Sequence, residues 1–239
     1  GMSFEHNLQS LKVVSRLEQI SPSFVGLNLH HETLLGLQKH DLFITLPCGK
    51  RASHSIEAQL VNEADEITYL YHDLDDANRC NLLTSADLTK LQIYQLIDSK
   101  TTDSFAETIL KFYMFFISDL VQNTKSQLIS KNIQTYEEVL NHLKPLVTYS
   151  KPTFLAKREL KQFLYERFWT ISSVTKQREQ GTKIIKNLFQ FFYNNPKQLP
   201  YKYQLQIQNG ESIIEVVKDY IAGMTDQYAK NTYIENALS

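Results

Sequence analysis

The sequence predicts an all-α fold, and three observations predict it. Glycine and proline are scarce, at 7 and 6 among 239 residues, which favours long helices over a β fold with its many turns. In residues 55–76, SIEAQLVNEADEITYLYHDLDD, the side chains Ile56, Leu60, Ala64, Ile67, Tyr71 and Leu74 recur at helical spacing and form one stripe suited to a core. Residues 109–121, ILKFYMFFISDLV, are apolar on nearly all sides. Such a helix belongs in a core or at an oligomer interface, and burial is preferred here.

The remaining elements follow from caps and breakers. Residues 3–20 read as a helix capped by Ser3, with Leu8, Leu11, Val14 and Leu17 as its buried side. Ser21-Pro22-Ser23 breaks the chain, and a short helix over 27–38 carries His30 and His31. A loop over 40–53 contains Pro47, Gly49, Lys50 and Arg51. Beyond the 55–76 helix, Ser85 caps a helix over 86–97, and a long helix fills 104–130. A short helix over 136–146 ends near Pro145. Helices over 182–194 and 211–237 complete the chain, the last with Gly223 in its middle.

Composition excludes some classes. A net charge of -1 gives no global pull toward nucleic acid or membrane. Cys48 and Cys80 lack metal-type spacing and read as reduced thiols. No signal peptide, membrane span or lipidation motif is visible, so the expectation is a cytoplasmic protein with no membrane partner. No internal repeat or linker stands out, so residues 1–239 are expected to form a single domain.

The chemistry concentrates on the 55–76 helix. Asp65, Tyr69, His72 and Asp76 fall opposite the apolar stripe, with Asp73 at the edge. Six acids lie between Glu63 and Asp76 with no Lys or Arg among them. Close carboxylates repel, so a folded chain relieves them with water, a cation or protonation. Two readings stay open: a solvated acidic face, or a metal or phosphate-metal site, for which Asp, His and Tyr are suitable residue types. Residues 151–186 carry Lys151, Lys157, Arg158, Lys161, Arg167, Lys176, Arg178, Lys183 and Lys186 against three acids, with Phe163, Tyr165, Phe168 and Trp169 interleaved. That pattern suits a solvated helix face or a single-stranded nucleic-acid or nucleotide contact.

Three stretches together resemble one family. EAQLVNEADEITYLYHDLDD, the pair FEHNLQSLKVVSRLE and GLNLHHETLLGLQKH, and VVKDYIAGMTDQYA occur in the order and spacing of the deoxyguanosine triphosphate triphosphohydrolases (dGTPases) of the HD phosphohydrolase superfamily. The resemblance implies the helical HD-domain fold, incomplete at its N-terminus. It implies a divalent metal, Mg or Mn, as cofactor. In the family the metal is held by a first His, a His-Asp pair and a later Asp; only the last has a counterpart, Asp65 in ADEITY. Neither His40-Asp41 nor His72-Asp73 is followed by the family's Gly/His-rich run. By the same resemblance Tyr69 packs beside the deoxyribose, Asp73 accepts a hydrogen bond from the 3′-hydroxyl, and His6 acts at phosphate as the catalytic candidate. Lys50 and Arg51 lie on a connection near the substrate mouth. Asp226 matches the Asp of GMTD, while Gln227 stands where Arg is usual, and Phe168-Trp169-Thr170 replaces a Tyr-Arg-His-like run.

The implied activity is hydrolysis of a deoxynucleoside triphosphate (dNTP) to deoxynucleoside and tripolyphosphate. With three of four ligands missing, little or no activity is expected from the chain alone. The alternatives are half of a split enzyme, completed by a partner chain carrying the H…HD motif, or a non-catalytic nucleotide- or single-stranded nucleic-acid-binding module. Apolar surface left without those helices is expected to drive homo-oligomer formation.

Overall fold

The computed structural model describes residues 4–37, 44–45, 51–97 and 103–237. The described residues are all-α apart from a two-residue antiparallel ladder, β1 (Ile44–Thr45) with β2 (Arg51–Ala52). It divides into two compact units, Gly1–Phe168 and Trp169–Ser239.

In the first unit, α1 (His6–Lys12) runs into a π-helical turn, Val13–Leu17. Glu5 caps it, accepting from the amides of Asn7 at 3.0 Å and Leu8 at 2.8 Å. The expected buried side is corrected: Leu8 is exposed, Leu11, Val14 and Leu17 are half-buried, and Asn7 and Gln9 are the buried residues. The second helix starts later than the sequence suggests, as α2 (His31–Gly36). The reason is backbone conformation. Gly26 and Asn28 both have positive φ, and a Cβ on Gly26 would meet the Ser15 carbonyl oxygen at 2.4 Å. The segment is instead tied back to α1's extension, the Leu27 amide donating to the Val14 carbonyl at 2.7 Å.

The central helix α3 (Ile56–Arg79) is capped by Ser55, whose hydroxyl accepts from the Ala58 amide. Its buried line is Ala58, Ile67, Leu70, Leu74 and Ala77. Ala64 is exposed, and Ile56, Leu60 and Tyr71 are half-buried, so the stripe is rotated from the one periodicity suggests. The rotation follows from what packs there. α6 (Phe105–Ser130) lies along α3 and buries Phe105, Thr108, Ile109, Phe112, Phe116, Leu120 and Thr124. Between them, the expected single helix over 86–97 is two, α4 (Ser85–Leu88) and α5 (Gln92–Leu96). Thr84, not Ser85, caps α4, in a reciprocal capping box with Asp87. Extended Leu91 breaks the run, and the Glu159 carboxylate then accepts from the Gln92 amide at 2.7 Å.

α7 (Tyr136–Asn141) ends well before Pro145. The strand-like link that follows is anchored at several points. Gln59 Oε1 on α3 accepts from the amides of Leu146 at 2.9 Å and Val147 at 3.2 Å. Asn123 on α6 donates to the Thr148 carbonyl at 2.7 Å, and the Asp119 carboxylate accepts from Ser150 amide and hydroxyl at 2.8 and 2.6 Å. These bonds set the start of α8 (Lys151–Leu164), which packs on α3 and α5.

In the second unit, α9 (Ser172–Asn194) begins ten residues before the sequence reading, and α10 (Tyr201–Gln208) was not anticipated. The expected helix over 211–237 is α11 (Ile213–Ala222), α12 (Asp226–Thr232) and a π-helical turn, Tyr233–Ala237. Gly223 is the C-cap of α11 rather than a mid-helix residue, and Thr225 caps α12. The core is Leu188, Phe192, Leu199, Val216, Val217, Tyr220, Ile221 and Ala229. Among the described residues no helix is long and apolar enough to cross a membrane.

Leu70 is buried in the first core and Val61 is largely exposed on the same helix. Leu70→Ala is expected to cost about 3–5 kcal/mol of unfolding free energy and Val61→Ala less than about 0.5 kcal/mol, measured by urea denaturation.

Candidate functional site

Two acids of the run on α3, Glu63 and Glu66, are neutralised from α8. Lys157, with its side chain 9% exposed, donates to Glu63 Oε2 at 2.7 Å and Glu66 Oε2 at 2.6 Å. Its ammonium also lies 4.4 Å from the centroid of the Tyr149 ring. Lys161, one turn on, donates to Glu66 Oε1 at 2.8 Å and lies 5.9 Å from the Tyr69 ring centroid. Two lysines at i and i+4 on one helix thus meet two glutamates at i and i+3 on the other. On α3 itself, Arg79 pairs with Asp75 at 2.8 Å.

Burial raises the Glu66 carboxyl, but the hydrogen bonds from Lys157 and Lys161 outweigh it, and the group is held below its ordinary value. Burial, with Glu63 and Glu66 close by, pushes the Tyr149 phenol far above its usual range. Burial also raises Tyr69, whose hydroxyl donates to Glu66 Oε1 at 3.3 Å.

Asp65, Tyr69 and Asp73 lie along one side of α3, successive residues four apart. Asp65 is exposed; Tyr69 and Asp73 are half-buried. The three form a ladder along α3, and the Lys157–Lys161 pair adjoins it through Glu66. His72 is exposed, its ring edge-on to Tyr71 at 5.4 Å. His6 stands exposed on α1 with Nδ1 3.4 Å from Glu5 Oε1. Lys50 lies outside the described residues, and of Arg51 only the backbone, in β2, is described.

Among the described residues no group of three or more His, Cys, Asp or Glu side chains is placed to hold a metal ion. The described donors therefore do not by themselves fit a divalent cation, for which one carboxylate is a weak site. In the second unit a cavity of about 350 Å³ is lined by Phe192, Leu199, Tyr220, Tyr228, Asn231 and Glu235 among others. Its lining includes no Lys, Arg or His, so it offers a phosphate no cationic partner.

Sequence reasoning missed the clamp. Lys157 and Lys161 read as part of a basic stretch, whereas both are spent on α3. The signal available was the matched spacing of KRELK and NEADE.

A model described as the phosphohydrolase-associated domain matches residues 147–235. Among similar proteins, a deoxyguanosinetriphosphate triphosphohydrolase-like protein of Leptospira interrogans is 35% identical, over 96% of this chain and 64% of the relative. One from Geobacter sulfurreducens is 34% identical over 96% of this chain and 63% of the relative. One from Ruegeria sp. (strain TM1040) is 30% identical over 98% and 68%. The chain belongs to the deoxyguanosinetriphosphate triphosphohydrolase-like family. It spans less than two thirds of the length of the Leptospira and Geobacter relatives.

Lys157→Met leaves two partly buried carboxylates short of a cation and is expected to cost about 2 kcal/mol at pH 7, against less than about 1 kcal/mol for the half-exposed Lys161→Met. Because the Glu66 carboxyl is depressed below 4.5 in the folded chain, its stabilisation is fully present above that pH and is lost as pH falls through the folded value. Thermal midpoints measured from pH 6 to pH 3 should therefore fall less steeply for Glu66→Gln than for the wild type.

Proposed function

We propose that this chain contributes the deoxynucleoside-gripping helix of a dNTP triphosphohydrolase, which yields deoxynucleoside and tripolyphosphate, and that it has little or no activity alone. The observation that carries this reading is the ladder Asp65–Tyr69–Asp73 on α3, backed by the Lys157 clamp. The exposed carboxylate of Asp65 contributes one metal ligand, the Tyr69 ring packs on the deoxyribose, and Asp73 accepts from the 3′-hydroxyl. His6, Lys50 and Arg51 act at the phosphates. The remaining ligands for a Mg or Mn ion would come from an H…HD motif, which on the split-enzyme alternative a partner chain carries, because one carboxylate does not hold such an ion tightly. With Asp65 as one of its ligands, such an ion would supply polarisation of the α-phosphate and activation of water.

A second reading, a nucleotide- or single-stranded nucleic-acid-binding module, is favoured by α9. Lys176, Lys183 and Lys186 are exposed there, in contrast to the buried Lys157.

The deciding assay is tripolyphosphate release from dGTP and the other dNTPs with Mg²⁺ or Mn²⁺. The pure chain should release none. Added to a chain carrying the H…HD motif, it should support release, and Asp65→Ala should lower that release more than about 100-fold, beyond the usual cost of losing a residue that merely supports a metal ligand. Release by the pure chain that survives Asp65→Ala would overturn the reading. Under the second reading, affinity for single-stranded DNA should fall with salt at a log–log slope of about −2, as expected for three phosphate contacts.

A further inference from the structure

The cavity of the second unit has no part in the catalytic reading. Four stretches of that unit enclose it: the end of α9 through Phe192, the link of residues 198–200, α11 through Tyr220, and one face of α12 with its π-helical extension. That face carries Tyr228, Asn231, Thr232 and Glu235, which share it because they recur at three- and four-residue spacing. At about 350 Å³ the cavity is at the small end for ligand sites, sized for a small molecule rather than a helix.

Its walls are fixed by contacts within the unit. The buried Phe192 ring stands edge-on to Tyr220 at 5.1 Å, and Tyr203 packs against Tyr220 at 4.9 Å. The hydroxyls of Tyr220 and Tyr228 share a hydrogen bond at 3.0 Å. Gln204 holds the link, its Nε2 donating to the carbonyls of Lys197 at 3.0 Å and Leu199 at 2.7 Å. Walls set in advance lower the ordering cost of binding.

The chemistry of the lining is one-sided. Burial, with the Tyr228 hydroxyl beside it, pushes the Tyr220 phenol well above its usual range, so it stays neutral. Among the described residues the one formal charge in the lining is the Glu235 carboxylate, and it has no cationic partner. An anion therefore meets no compensating charge here. A cation meets tyrosine rings, whose quadrupole attracts positive charge, and a carboxylate to balance it. Tyr228 is 50% exposed and Glu235 is exposed, so both are open to an arriving ligand.

We propose that this cavity binds a small organic cation, a primary or quaternary alkylammonium ion, with Tyr220 and Tyr228 meeting the ammonium group and Glu235 balancing its charge. The inference is independent of the catalytic reading: the ladder on α3 takes no part in it, and the lining disfavours a triphosphate.

The test is isothermal titration calorimetry of the 239-residue chain with choline, with ethanolamine, and with the uncharged choline analogue in which carbon replaces the ammonium nitrogen. At least one amine should bind saturably with a dissociation constant of about 1 mM or lower, an affinity within reach of ligands this small. The uncharged analogue should bind at least about tenfold more weakly than choline, having lost both the ring attraction and the carboxylate. With circular dichroism confirming the fold, Tyr228→Leu should weaken amine binding about 3- to 30-fold. Glu235→Gln should weaken it about two- to fivefold, and added NaCl should weaken the wild type more than this variant. In proton–nitrogen correlation spectra, the shifts caused by the amine should concentrate at residues 228–236. The proposal is overturned if neither amine saturates by about 10 mM, or if the uncharged analogue binds as well as choline. Binding that both variants leave intact overturns it too, as do shifts concentrated on the acidic helix α3.

Discussion

An ammonium held between two carboxylates sets the arrangement of the first unit. Lys157 is nearly enclosed, and a buried charge without partners is costly. Glu63 and Glu66 supply those partners only if α8 lies at one height and rotation against α3. Gln59, Asn123 and Asp119 hold the chain into α8 at that height, each spending side-chain polarity on backbone amides or carbonyls of residues 146–150. The ion pair is weak evidence for raw stability, since apolar residues of similar volume often do as well. Its effect is on placement: it fixes which side of α3 faces α8 and which side is left to the ladder of Asp65, Tyr69 and Asp73.

Seen this way, the six acids of α3 divide by role. Glu63, Glu66 and Asp75 are neutralised by Lys157, Lys161 and Arg79. Asp65, Tyr69 and Asp73 follow one another at four-residue spacing along the helix. The segment matched by the phosphohydrolase-associated model, 147–235, includes the clamp's lysines and continues through the second unit. The helix bearing the ladder lies before that segment, yet its orientation depends on it.

Much of this was legible from residues alone. The long α6 and the 55–76 helix follow from apolar periodicity. The ladder follows from four-residue spacing, and its proposed ligand roles only from family resemblance. What failed did so for local reasons. Periodicity weighs Ala64 and Leu60 like Leu70, but packing against α6 chose the line through Ile67, Leu70, Leu74 and Ala77. The first half of α9 is polar, with Gly181 in it, and carries no apolar period. Gly223 followed by a Thr225 cap was a stop and a restart inside one apparently continuous run. The clamp joins residues 91 to 95 apart, beyond any local pattern.

That separation also matters on the ribosome. At ordinary synthesis rates of about 5–20 residues per second, roughly 5–20 s pass between the emergence of Glu63 and that of Lys157. Phe105 and the rest of α6 emerge earlier, so the apolar side of α3 finds its cover first. The acidic side waits, soluble by virtue of its own charge, until α8 arrives. The same carboxylates that would repel one another in an unfinished core keep the nascent helix hydrated until the last helix of the unit is made.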